Sequence, residues 1–334
     1  MGGWDHKKNR QYEIKKYFVS EDELWSLFNF FFSPACKKTS TYKFGFMKSI
    51  LDSLFSGELH DKGYELSYEV LFEHFAMNYW NLVTKYHLKQ LSYNGASDSN
   101  VENAINDVLK NNYALAELEF DSLNLEDKKT IIKKVRENCK KNVVGAIYEN
   151  FEGILYGYDP RGKGIWLNPV AYEFLLKHKF EIEKLNYYEW ARKIEQVNKE
   201  LTPPGLLDNL EKATPERKNL SFYRDILKNE FEECNCFYCG KKLSNNIQVD
   251  HIIPWKLVRE DRIWNFVLSC KTCNSKKNDK IPEKKKLLII LNRNEGISNS
   301  ENERIKREFS GYSAEMMIRL WSYAKMGGYK EFVQ

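Results

Sequence analysis

Four cysteines form two Cys-x-x-Cys pairs, Cys236/Cys239 and Cys270/Cys273, with 30 residues between the pairs. That spacing fits two thiolate knuckles closing on one tetrahedral zinc ion. Four sulfurs leave no coordination position for water, so such an ion would be structural rather than catalytic. Between the pairs stands Asp250-His251, and Asn274, Lys276 and Lys277 follow the second pair. A zinc ribbon needs none of these extra residues. A neutral imidazole near pH 7 can take a proton from water, which makes His251 a candidate general base. Asp250 and Asn274 offer oxygen ligands, the kind that suit Mg2+ or Mn2+. An activated water, a divalent ion and positioned charge are what hydrolysis of a phosphodiester requires. Lys277 is the first candidate for a phosphate contact and Lys276 the second. Neighbouring residues of a strand point to opposite faces, so Asp250 and His251 can serve one site only at a strand end or bend.

The other cysteines bear on the same metal. Seven cysteines, five of them within 234–273, do not read as a disulfide framework. Cys36 and Cys139 stand apart as ordinary thiols. Cys234 is a competing zinc ligand, because Cys234-Asn235-Cys236 offers two sulfurs. Gly240 suits the tight turn after Cys239 and favours the Cys236/Cys239 pair.

Charge collects around this segment. Between 236 and 286 there are twelve Lys and Arg against five Asp and Glu, an excess of seven. The whole chain carries only +5, so the remainder is slightly acidic. A local positive excess attracts phosphates and gains from counterion release.

The elements that must position these residues read as follows. Apolar residues at three- and four-residue spacing predict helices over 21–32, 42–55, 66–91, 100–111 and 125–142. The texture then changes to a β-hairpin near 152–167 about a Pro/Gly turn, after which Asn168-Pro169 opens a helix. Further helices are expected over 186–199, 221–232, 283–293 and 300–326. The aromatic residues of the first half (Trp25, Tyr79, Trp80, Tyr187, Tyr188, Trp190) sit at helical spacing and are expected in the core. The longest apolar run, 24–32, falls short of the roughly 18–20 residues that span a bilayer. The N-terminus is polar and charged, unlike a signal peptide, so a soluble cytoplasmic protein without membrane contact is expected.

The segment from Cys236 resembles the HNH, or ββα-metal, endonuclease superfamily. The residues that carry the resemblance are Cys236-Phe237-Tyr238-Cys239-Gly240, Val249-Asp250-His251-Ile252-Ile253-Pro254, Asn265, and Cys270-Lys271-Thr272-Cys273-Asn274-Ser275-Lys276-Lys277. From Val249 to Pro282 the chain is also similar to the HNH lobe of RNA-guided CRISPR effectors. The subpattern Asp250-His-x-x-Pro-Trp with Asp261-x-x-Trp264-Asn265 is similar to bacterial HNH proteins associated with host defence. The resemblance implies a first strand over 249–252, a second near 265–268, and a metal-binding helix opened by Asn274. It implies that Asn265 hydrogen-bonds backbone and holds the loop carrying His251. Many members have His where Asn274 stands, and the amide here suggests a magnesium-like preference.

The fold expected is mainly α with a small α+β part. A helical N-terminal domain (1–200) with recognition or regulatory work would precede a linker (201–218). An HNH domain (219–290), stabilised by a four-cysteine zinc site, and a C-terminal helical segment (291–334) would follow. The function expected is a metal-dependent endonuclease acting on DNA in bacterial restriction or anti-phage defence, with RNA left open. A protein or nucleic-acid trigger would act through the N-terminal domain, and no oligomeric state is read. The rival reading is a catalytically inactive zinc ribbon that binds nucleic acid or serves as a scaffold.

Overall fold

Helices in the first half begin where short polar side chains satisfy the free amides of a first turn. Ser20 accepts from Glu23 N–H and Glu23 reaches back to Ser20, capping α1 (Glu21–Phe32). Ser67 caps α3 (Tyr68–Thr84), Ser99 with Glu102 caps α4 (Asn100–Leu109), and Asn124 caps α5 (Leu125–Asn150). Asn168 caps α6 (Pro169–Lys177), whose Pro169 lacks the amide a first position cannot use. The set is completed by α2 (Tyr42–Ser53) and α7 (Lys179–Val197).

The computed structural model describes residues 11–91, 98–198, 220–229, 235–244, 247–258, 261–298, 303–309, 311–326 and 328–333. Contacts divide the chain into two units, Met1–Glu216 and Arg217–Gln334. The expected linker, 201–218, lies outside the described residues. No helix among the described residues is long and apolar enough to cross a membrane. The chain is mainly helical with small sheets.

In the first unit the helices pack around an apolar core that includes Phe28, Phe31, Phe46, Leu71, Phe72 and Trp80. Tyr79, Trp80, Tyr187 and Trp190 are core residues as their spacing predicts, whereas Tyr188 is 54 % exposed. A four-stranded antiparallel sheet runs in the order β1 (Glu58–His60), β2 (Gly63–Ser67), β4 (Gly164–Leu167), β3 (Tyr156–Tyr158). Apolar periodicity predicts no strand over 58–67 and a helix over 66–91. The structure starts that helix at Tyr68 and ends it at Thr84. The partner that makes 63–67 a strand is β4, far along the chain, and local periodicity carries no sign of it.

This unit also buries a charged cluster. Lys48 is 1 % exposed, pairs with Asp52 and lies 3.1 Å from Glu183. Burial alone would raise the Asp52 carboxyl; the charges of Lys48, Lys179 and His74, with the Lys48 hydrogen bond, outweigh it and hold it below its usual value. Its contribution is therefore fully present above the ordinary carboxylate range and is lost as pH falls through the lower folded value. Lys48→Met leaves two buried carboxylates without this cation. The expected result is a loss of about 3–5 kcal/mol from the first unit, read as a drop in its calorimetric transition temperature.

The second unit opens with α8 (Ser221–Asn229). Its hairpin pairs β5 (Gln248–His251) with β6 (Phe266–Ser269), with the short α9 (Trp255–Val258) between them, and α10 (Lys271–Lys277) follows. Next come β7 (Ile281–Pro282), α11 (Lys284–Ser298), α12 (Glu303–Glu308), α13 (Ala314–Met326) and β8 (Glu331–Phe332), which pairs in parallel with β7. The expected division at 290 is absent, because α11 runs through it. Leu287, Ile290, Leu291 and Asn294 form its buried stripe. Arg293 Nη1 donates to Phe266 O at 2.8 Å and Asn294 Nδ2 to Trp264 O at 2.8 Å. The C-terminal segment thus holds the backbone of β6 and belongs to the same core.

Candidate metal centre and active site

The Sγ atoms of Cys236, Cys239, Cys270 and Cys273 all lie within 4.8 Å of one another. A tetrahedral zinc with bonds of about 2.3 Å has sulfur–sulfur edges of roughly 3.8 Å, and Cys239 and Cys270 are already at 4.0 Å. The four thiols fit one zinc ion. The first knuckle turns back through Gly240, whose φ of +71° is left-handed and suits a residue without Cβ. Gly240 N–H donates to Cys236 O and Cys236 N–H to Lys241 O, both at 2.8 Å. Phe237 N–H donates to Leu268 O at 2.9 Å, fastening this knuckle to β6. Cys270 is the N-cap of α10 and Cys273 lies in its first turn. A hydrogen bond from the Cys273 backbone, helped by the neighbouring thiols, lowers the Cys270 thiol to about 7. Burial raises that of Cys236. Cys234 lies outside the described residues.

Asp250 and His251 are the last two residues of β5, the strand end that adjacency demands. They face different ways. His251 stands opposite Phe266 in the register, and the two rings meet edge to face at 4.5 Å. Its Nε2 is 3.0 Å from Asp261 Oδ1. Tyr223 of α8 closes this side: its ring is 4.7 Å from Phe266 and its hydroxyl donates to Asp261 O at 2.9 Å. The imidazole is 3 % exposed.

Asp250 turns toward the zinc knuckle and α10. Its Oδ2 accepts from the Tyr238 hydroxyl at 2.5 Å and lies 3.2 Å from Lys277 Nζ. Burial, then the Asp250 charge, push the Tyr238 hydroxyl well above the ordinary phenol value, so it remains a donor. Both contacts fall on Oδ2, and Oδ1 takes no hydrogen bond among the described residues. A carboxylate fixed by one oxygen presents the other in a defined direction, as an oriented metal ligand requires.

Lys277 is not where a phosphate contact would be. It is 0 % exposed, and its Nζ donates to His251 O at 2.5 Å as well as pairing with Asp250. The reason is helical phase. The resemblance opens the helix at Asn274, but Cys270 caps it, so Cys273 and Lys277, four apart, both face the hairpin. Asn274 therefore sits one turn inside the helix, half-buried and on the side of Lys277. Lys276 is exposed.

Asn265 is fully buried and does for the loop what the resemblance implies. Its Nδ2 donates to Ile253 O at 2.9 Å, and its Oδ1 accepts from Ile253 N–H at 2.8 Å. Its own carbonyl accepts from Ile252 N–H at 2.8 Å. The backbone leaving His251 is held at both Ile252 and Ile253 by this one residue.

Residues 236–280 match the family model of the HNH endonucleases. The second unit carries an HNH endonuclease domain. Neither the curated proteins nor the solved structures contain a match to the chain. Within the HNH domain, two polar partners escape the sequence reading. Asp261 has a signal, since it stands in the quoted Asp261-x-x-Trp264-Asn265 pattern. Tyr238 has only its place between two zinc ligands.

Proposed function

We propose that this chain is a metal-dependent HNH endonuclease that hydrolyses phosphodiester bonds in DNA. The observation that supports this most is the pairing at the end of β5. There His251 is held by the Asp261 carboxylate, and Asp250, its neighbour in the strand, has one carboxylate oxygen anchored by Tyr238 and Lys277. A Mg2+ or Mn2+ ion held by Asp250 Oδ1 and Asn274 would neutralise phosphate charge and stabilise the leaving oxygen. Asp261 takes Nε2, so His251 acts as base through Nδ1, with the Asp261 charge favouring the imidazolium that results. Lys277 and Asn265 hold Asp250 and the His251 backbone in register. Exposed Lys276 takes the phosphate role expected of Lys277. The Tyr223 side of the hairpin has to loosen for a strand to reach the covered imidazole, which suits a nuclease that waits for a trigger. Restriction or anti-phage defence is the role that the Asp250 and Asp261 patterns suggest.

The test is incubation of plasmid DNA, and of RNA, with the full chain in Mg2+ or Mn2+, against Asn274→Ala. Cutting by the wild type alone, with both proteins folded, supports the reading. Binding by both and cutting by neither, under every nucleic-acid trigger supplied, makes the chain a zinc-stabilised binding module. Cutting of RNA alone changes the substrate.

Tyr238→Phe tests the anchoring of Asp250. Losing a hydrogen bond to a charged group costs about 1.5–3 kcal/mol. The expected result is Mn2+ binding weakened roughly 10- to 100-fold, measured by paramagnetic resonance titration of the full chain. Unchanged Mn2+ affinity with the chain folded would show that Tyr238 only packs.

A further inference from the structure

The geometry points to a second nucleic-acid contact, on the first unit: a basic cleft of Arg136, Lys140 and Lys163 that holds backbone phosphates, continued along α5 by Lys133 and Lys129. The inference rests on the reading that the chain acts on nucleic acid. It concerns binding, by residues that are not part of the HNH domain.

The cleft measures about 560 Å³ and is lined by Ser67, Tyr68 and Glu69 at the start of α3, by Arg136 and Lys140 of α5, and by Gly162 and Lys163 of the hairpin tip. Its construction starts at Gly164. A Cβ there would lie 2.3 Å from Leu66 O, so only glycine lets β4 close against the end of β2. That approach lets Tyr68 N–H donate to Lys163 O at 2.6 Å, which sets the hairpin tip on the first turn of α3. From the other side Lys140 lies over the Tyr68 ring, its Nζ 4.3 Å from the centroid. Three cations from two segments, α5 and the hairpin tip, therefore line one concavity.

These cations are not neutralised. None of Arg136, Lys140 and Lys163 forms an ion pair among the described residues. Elsewhere on the unit, exposed lysines do meet acids, as Lys110 meets Asp107 at 2.7 Å. Two carboxylates are near the cleft. Glu69 lines it, and Asp159 acts on Lys140 while its Oδ1 accepts the Arg161 N–H. Partial burial, then the charge of Arg136, depress the Lys140 ammonium below its usual value. Holding half-buried like charges together is unfavourable unless an anion joins them.

The length of the basic surface selects a polymer over a single phosphate. Lys129, Lys133, Arg136 and Lys140 follow at steps of four, three and four residues, one face of α5. Lys129 and Lys133 are exposed. The row spans roughly 16 Å at 1.5 Å per residue, whereas phosphates along one strand of a duplex recur about every 3.4 Å of axis. Several phosphates fit this row, and a free nucleotide reaches only the cleft. The Tyr68 ring is covered by Lys140 and offers no stacking face, so the contact is to backbone and not to bases.

The experiment uses the full chain carrying His251→Ala, so that bound strands stay uncut. Its affinity for labelled single-stranded DNA, duplex DNA and RNA is measured by fluorescence anisotropy across a salt series. The same is done after adding Lys133→Gln, Arg136→Gln, Lys140→Gln and Lys163→Gln together. The expected result is at least about tenfold weaker binding and a salt slope on duplex reduced by roughly 3.6, near 0.9 per lost phosphate contact. If the fourfold variant melts early, the exposed pair Lys133→Gln/Lys163→Gln replaces it, with about half the change in slope expected. Unchanged affinity and slope in a folded variant overturn the inference, and plasmid cutting by the wild type in parallel would leave the nuclease reading standing. Absence of binding by the His251→Ala chain together with absence of cutting by the wild type would sink both. Displacement of the strand by micromolar inorganic phosphate or ATP would overturn the polymer and make the cleft a single-phosphate site.

Discussion

His251→Ala abolishes cleavage and leaves the chain folded: the expected rate of plasmid nicking in Mg2+ falls by about 10²–10⁴-fold, the range a positioned general base supplies. The imidazole sets an edge against Phe266 and hydrogen-bonds Asp261. Removing it forfeits a buried ring and leaves Asp261 short of one partner, which costs about 1–3 kcal/mol and lowers the melting temperature of the second unit modestly. Neither Asn265 nor Lys277 depends on the ring, because both grip backbone atoms at or after His251. The loop therefore stays in place, and so does Asp250. The measurement is an initial rate beside a melting curve of the same preparation. A variant that keeps a tenth of wild-type cleavage would remove His251 from the mechanism and make its burial purely structural.

Removal of the thiolate-bound metal is expected to unfold the second unit and spare the first. Cys236 and Cys273 are buried and their knuckles fix both ends of the ββα element, one through Phe237 N–H on β6 and the other as the start of α10. Structural zinc of this kind contributes about 10–16 kcal/mol of apparent folding free energy, more than a small unit can lose. Cys273→Ser, or exhaustive chelation, should erase the thermal transition of residues 217–334 while that of 1–216 persists. Metal analysis should find one zinc per folded wild-type chain, and the same in Asn274→Ala. Survival of both transitions without zinc would mean that the packing of α11 and α13 alone carries the unit.

Much of the metal chemistry can be read in the linear order of residues, because it depends on local spacing. A Cys-x-x-Cys pair brings its sulfurs together within one turn whatever the rest of the chain does. Asp250 and His251 are adjacent in any fold, and their need for a strand end follows from the alternation of a β-strand. The resemblance assigns Asn265 a backbone-holding role, and the structure gives it three hydrogen bonds that hold the loop. The helices with clear caps, such as α1 and α4, begin where Ser20 and Ser99 stand.

What escapes the sequence reading depends on direction in space. Whether Lys277 meets solvent or Asp250 turns on the phase of α10, and that phase is set by Cys270 at its cap. The Tyr238–Asp250 and His251–Asp261 bonds join segments whose meeting depends on the β5–β6 register. The strand at 63–67 exists because β4 comes back to pair with it, guided by a glycine that permits close approach, and 58–60 pairs with that strand in turn. Residue types and short spacings determined which atoms could do chemistry, since covalent geometry keeps near neighbours near. Only the tertiary structure decided which of those atoms are held, which are covered and which are presented, because burial and hydrogen bonding are set by what the distant chain brings to each side chain.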